Sequence, residues 1–141
     1  MKVHREIVEI PTRRTASALV DVTREIAAVV RRSGVREGLA SAFLQHTSAS
    51  LLIQENADPA VLRDLERWLA ALAPEGAAYE HADEGPDDMP GHLRSAVTRT
   101  SEQIPVGGGE LLLGTWQAVY VFEHRRRAHT RRLVVTVIGL P

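Results

Sequence analysis

Cysteine is absent, which excludes disulfides, thiolate metal sites and a cysteine nucleophile. The absence also fits a reducing compartment. Aromatic residues make up only 4% of the chain, so its core has to be assembled from Val, Leu, Ile and Ala. Net charge is only −1, so no global field draws the molecule toward nucleic acid. No stretch approaches the roughly 20 apolar residues of a membrane span. The opening "MKVHREIVEI" alternates polar and apolar residues, unlike the continuous apolar region of a secretory signal. Together these absences predict a cytoplasmic protein with neither membrane nor nucleic-acid partners.

What is present describes an ordinary globular chain. Its 141 residues favour a single domain over 1–141. A chain of that size buries roughly 70% of its unfolded surface, so it needs no metal to fold. Charge is uneven locally. "DEGPDD" (83–88) is acidic and "HRRRAHTRR" (124–132) is strongly basic.

Residues 2–10 alternate as a strand does, and "SALVDVTREIAAVVRR" (17–32) has helical spacing that stops at Gly34. "GLASAFLQHT" (38–47) and "SLLIQE" (50–55) read as strands. "ADPAVLRDLERWLAAL" (57–72) reads as a helix with Asp58 as its cap, Pro59 in its first turn, and Val61, Leu62, Leu65, Trp68, Leu69 and Leu72 inward. Residues 73–86 form a loop with a short strand near Tyr79, and 87–101 form a second helix. "EQIPV", "ELLLG", "WQAVYVFEH" and "RRLVVTVIG" are strands, the first pair joined by the glycines 107–109. Strands cluster rather than alternate with helices. The predicted class is therefore α+β: helices flanking a mixed, mainly antiparallel sheet.

Six histidines are spread along the chain. No two have the i, i+4 spacing of a zinc-binding helix. Three neutral imidazoles from distant segments could still hold zinc and leave a position open. The acidic run either solvates and caps the following helix or offers carboxylates for Mg²⁺ or proton transfer. Ser48 and Ser50 lie outside any nucleophile motif, and turn hydroxyls bonding backbone account for them. Free N–H groups in that turn could also hold a phosphate. The arginines of the basic loop suit phosphate or carboxylate.

"QHTSASLLIQENADPAVLRDLERWL", "YEHADEGPDDMPGHLRSAV", "GTWQAVYVFEHR" and "RRLVVTVIG", taken in order, resemble the YjbQ-type proteins. That family is credited with a secondary thiamine-phosphate synthase activity. The resemblance implies a single α+β domain and a homotrimer. It also implies a divalent metal, zinc first and Mg²⁺ as the alternative, held by His46, His81 and His92. Gly91 stands where the family has alanine, and Ala128 and His129 replace two glycines of the basic loop. Glu84, Glu123 and Asp58 become the carboxylates expected to serve catalysis. Ser48, Asn56 and Arg125 become the residues expected to bind a phosphorylated small molecule. Three readings stay open: the synthase-like enzyme, a zinc-dependent hydrolase, and a non-enzymatic metal- or metabolite-binding trimer.

Overall fold

The computed structural model describes residues 1–141, with eight strands and three helices. In chain order these are β1 (Lys2–Thr12), β2 (Leu19–Asp21), α1 (Thr23–Ser33), β3 (Glu37–Leu44), β4 (Ala49–Glu55), α2 (Pro59–Leu72), α3 (Asp88–Val97), β5 (Ser101–Gly107), β6 (Glu110–Leu111), β7 (Gln117–Glu123) and β8 (His129–Leu140). One sheet has the order β1-β8-β3-β5-β6 and the other β2-β7-β4. Every strand pair is antiparallel, so the α+β class holds with two antiparallel sheets rather than one mixed sheet.

Alternation explains the layering. Ala40, Ala42 and Leu44 on β3 point inward with Leu133, Val135 and Val137 on β8, and with Ile104 and Val106 on β5. They meet Ile26, Val29 and Val30 of α1 and Leu51, Val119 and Val121 of the smaller sheet. The smaller sheet's far face carries Leu19, Tyr120 and Phe122, and Leu69 of α2 packs on it. Strand β7 is thus buried on both faces, which is why "AVYVF" reads as an unbroken apolar run.

Three readings need correction. Residues 19–21 are strand β2, paired with β7, and the helix begins only at Thr23. Leu19 faces the second cluster whereas Val22 and Ile26 face the first, so an apparent helical period spans two elements. Gly34 does close α1, in the left-handed conformation at φ 67°. Trp68 and Leu72 stand 60% and 55% exposed rather than facing inward, because the sheet under α2 offers only the width that Leu69 and its neighbours fill. No strand forms near Tyr79, whose hydroxyl donates to the Pro74 carbonyl.

The outer face of the larger sheet is unusually apolar. Val3, Ile138, Leu39 and Pro105 are cross-strand neighbours in one row, and Ile7, Val134 and Phe43 in another. Val3, Ile7, Leu39, Phe43 and Ile138 are all exposed. No helix is long and apolar enough to cross a membrane.

Candidate metal centre

The loop after α2 and the start of α3 bring His81, Asp88 and His92 together, with one ligand atom from each inside a 4.8 Å group. Asp88 and His92 are four apart on a helix and so share a face. His81 Nε2 lies 2.6 Å from Asp88 Oδ2, and His92 Nε2 lies 3.1 Å from the same oxygen. The two rings are tilted with centroids 5.4 Å apart.

The surroundings orient these groups. His92 Nδ1–H donates to the Thr47 carbonyl at 3.0 Å, which in a neutral ring leaves Nε2 as a bare lone pair. That lone pair faces a carboxylate oxygen, a repulsive arrangement that either a second proton or a cation relieves. A backbone carbonyl holding the far nitrogen of an imidazole is the usual arrangement behind metal-ligating histidines. Asp88 is only 2% exposed, and its other oxygen accepts from Arg125 Nη1 at 2.6 Å. Arg125 Nε also donates to Asp87 Oδ2, and Nη2 to the Glu84 carbonyl. Burial works to raise the Asp88 carboxyl, but hydrogen bonding from His81 and the charges of Arg125 and His92 outweigh it and hold the group below its ordinary value. Asp87 is held down in the same sense, against burial, by the Arg126 backbone N–H and the Arg125 side chain. Two imidazoles and one ionised carboxylate form a donor set that fits zinc. Beside His81 is a cavity of about 340 Å³ lined also by Tyr79, Pro86, Met89 and Pro90.

The comparisons with known proteins agree with one another. Residues 6–140 match the model of the UPF0047 protein YjbQ-like family. The chain belongs to the UPF0047, YjbQ-like family. A UPF0047 protein, sll1880, from Synechocystis is 53% identical over 137 residues, covering 96% of this chain and 92% of the relative. A conserved hypothetical protein of Thermus thermophilus is 32% identical with a TM-score of 0.83, covering 94% of this chain and 99% of the other. A YbjQ-like protein of unknown function from Sulfolobus solfataricus, 24% identical, shares the fold at a TM-score of 0.88 over 98% of each chain.

Against the family's pattern, the remaining residues fall into place unevenly. His81 and His92 come together as the resemblance implied, but Asp88 completes the group and His46 does not join it. The His46 ring accepts from the Arg132 backbone N–H at 2.8 Å and lies against Arg131. Burial first and Arg131 second push its pKa down. Ser48 is buried, its hydroxyl and carbonyl both accepting from Arg131. Asn56 donates to the Thr115 and Gln117 carbonyls and so pins the approach to β7. Asp58 caps α2 by accepting from the Ala60 N–H at 2.9 Å. The Glu84 side chain is exposed at the rim of the loop. Glu123 is wholly buried, and its oxygens accept from Thr12, Arg131 and the Arg125 backbone. Those donors hold it below its ordinary pKa although burial opposes them. A carboxylate so enclosed organises the interior, with each oxygen already taken by these donors.

The basic loop is likewise committed. Arg125 is spent on Asp87 and Asp88, Arg126 pairs with Glu75, Arg131 with Glu123, and Arg132 donates to Gln45. Arg127 has no side-chain partner and is exposed. The role of Asp88 was legible as an Asp-x-x-x-His spacing on a helix, a pattern overlooked when only histidine pairs are counted.

Proposed function

We propose that this chain is a metal-dependent enzyme acting on small phosphorylated molecules, with a divalent ion, zinc first, held by His81, Asp88 and His92. The observation that carries the reading is the Thr47 carbonyl fixing His92 so that its free lone pair converges with His81 on one oxygen of a buried carboxylate. An ion bound there supplies a Lewis acid that activates water and offsets phosphate charge. Arg125 keeps Asp88 ionised and aimed, the Thr47 carbonyl keeps His92 in register, and Arg127 is the cation of the loop left free to meet a phosphate. Within this class the family resemblance favours joining a pyrimidine pyrophosphate to a thiazole phosphate. The donor set favours a second reading, zinc-dependent hydrolysis, since imidazole suits zinc better than Mg²⁺. Exposed apolar rows on the larger sheet support self-association, because patches of that kind mark interaction surfaces, and the family resemblance favours a homotrimer.

Metal analysis of the purified protein should find about one zinc per chain, and His81→Ala should lose it while keeping wild-type circular dichroism. Zinc retained at full occupancy in that variant overturns the assignment. Assay of the metal-loaded protein for thiamine phosphate, with and without Mg²⁺, beside a screen of phosphoesters and amides, separates the synthase from the hydrolase.

A further inference from the structure

A second cavity, about 310 Å³, lies between the end of α2 and the inner side of α3 and is lined by Arg14, Glu66, Leu69, Glu75, Arg94 and Phe122 among others. Most of its charges are already matched. Arg14 donates to the His124 carbonyl at 2.8 Å and pairs with Glu75 at 3.5 Å. Glu75 also takes Arg126. Glu123, also on the lining, is saturated by Arg131 and Thr12. Two groups remain. Arg94 is 8% exposed, yet its only hydrogen bonds run from Nε and Nη2 to one neutral carbonyl, that of Ala73, at 3.3 and 3.0 Å. No carboxylate lies within ion-pair distance of it; the nearby Arg14 charge repels it, while Glu66 and Asp87 attract it from beyond that distance. Glu66 is half-buried, lines the same cavity and makes neither side-chain hydrogen bond nor ion pair. Buried charges are ordinarily paired, because an unpaired one forfeits hydration without return.

We propose that this cavity binds a small zwitterion of the amino-acid type, its carboxylate on the free edge of Arg94 and its ammonium on Glu66. A guanidinium takes a carboxylate in two parallel hydrogen bonds. Leu69, Phe122 and Ala70 form the apolar wall against which a side chain packs. The volume is at the small end of ligand pockets, which suits a single amino acid. The site shares no residue with the His81–Asp88–His92 group.

Calorimetric titration of the full chain tests the assignment with two matched sets of probes. One is L-leucine, 4-methylpentanoate and 3-methylbutylamine. The other is L-phenylalanine, 3-phenylpropionate and 2-phenylethylamine. In at least one set the amino acid should bind tenfold or more tightly than either partner. Arg94→Met should abolish binding of the amino acid and the carboxylate. Glu66→Gln should erase the tenfold preference while leaving the carboxylate bound. Arg94→Lys, which keeps the charge without the fork, should weaken the amino acid at least tenfold, and it serves should the Met variant not fold. His81→Ala should bind as the wild type does. The assignment is overturned if no probe binds, if in neither set the amino acid binds tenfold more tightly than both its partners, or if binding is unchanged in the Arg94 variants.

Discussion

Two polar clusters, each built around a carboxylate, lie on either side of Arg125, and they differ in what their polar atoms still need. In the interior, Glu123, Arg131, Thr12 and Ser48 satisfy one another, and His124 Nε2 and Thr98 both engage the Ser50 hydroxyl. Toward the surface, His81, Asp88 and His92 converge on one oxygen with a lone pair left over. Arg125 joins the two, its backbone N–H donating to Glu123 and its guanidinium to Asp87 and Asp88. Apart from His124 Nδ1 the interior set is closed, and a closed set of partners stabilises a fold. An open set is where chemistry can occur.

Exchanging Arg131 of the interior cluster or the bridging Arg125 for methionine gives the largest test of that contrast. Arg131→Met leaves Glu123 charged, buried and unpaired, which costs about 3–5 kcal/mol. Urea denaturation should show the loss, with zinc content per folded chain nearly unchanged. Arg125→Met should do the reverse, weakening zinc binding about 10- to 100-fold through a poorly aimed Asp88, with a smaller loss of stability. Equal losses of stability from the two variants would remove the distinction.

The interior cluster should also be the more sensitive to acid. His124 is 1% exposed, and its Nδ1 has no partner. Burial first and the Arg94 charge second push its pKa from 6.5 down to about 3. Between those values the unfolded chain binds a proton that the native chain does not. Its contribution is therefore whole above pH 6.5 and is lost as pH falls, at about 1.4 kcal/mol per pH unit. Chemical denaturation at pH 6.5 and pH 5 should show the wild type losing about 2 kcal/mol more than His124→Asn. Parallel pH profiles for the two proteins would exclude the titration.

The smallest effect concerns the helix that separates the clusters. A Cβ added at Gly91 would meet Ser48 Cβ at 3.5 Å, His124 Cβ at 3.6 Å and Arg125 Cδ at 3.7 Å, all ordinary contacts. Gly91→Ala should therefore stabilise the chain by about 0.5–1 kcal/mol, through helix propensity and the entropy of the unfolded chain. A destabilised variant would mean that the two clusters press on α3 more tightly than those distances imply.

Much of the secondary structure was legible in local chemistry. Asp58 and Pro59 announce α2, Gly34 ends α1, and two glycines at positive φ, Gly108 and Gly109, turn β5 into β6. The readings that failed did so where local pattern is ambiguous. Leu19 fits a helical period and a strand equally well, and its pairing with Phe122 on β7 decided between them. Trp68 and Leu72 share the period of a buried face, but how wide a surface lies beneath α2 is not written in α2.

The sequence by itself determined the α+β class and most element positions, and through the family resemblance it pointed to His81 and His92. Periodicity, caps and turn residues act over a few neighbours, and family motifs carry residue identity. Only the tertiary structure brings Asp88 to His81 and His92 while His46 bonds to the Arg132 N–H, and encloses the Glu123 carboxylate among Thr12, Arg131 and the Arg125 N–H. It alone also showed that Arg94 and Glu66 line one cavity with neither in an ion pair. Each of these facts is a matter of which distant groups satisfy one another's charges and hydrogen bonds, and that matching exists only once the sheets and helices have packed.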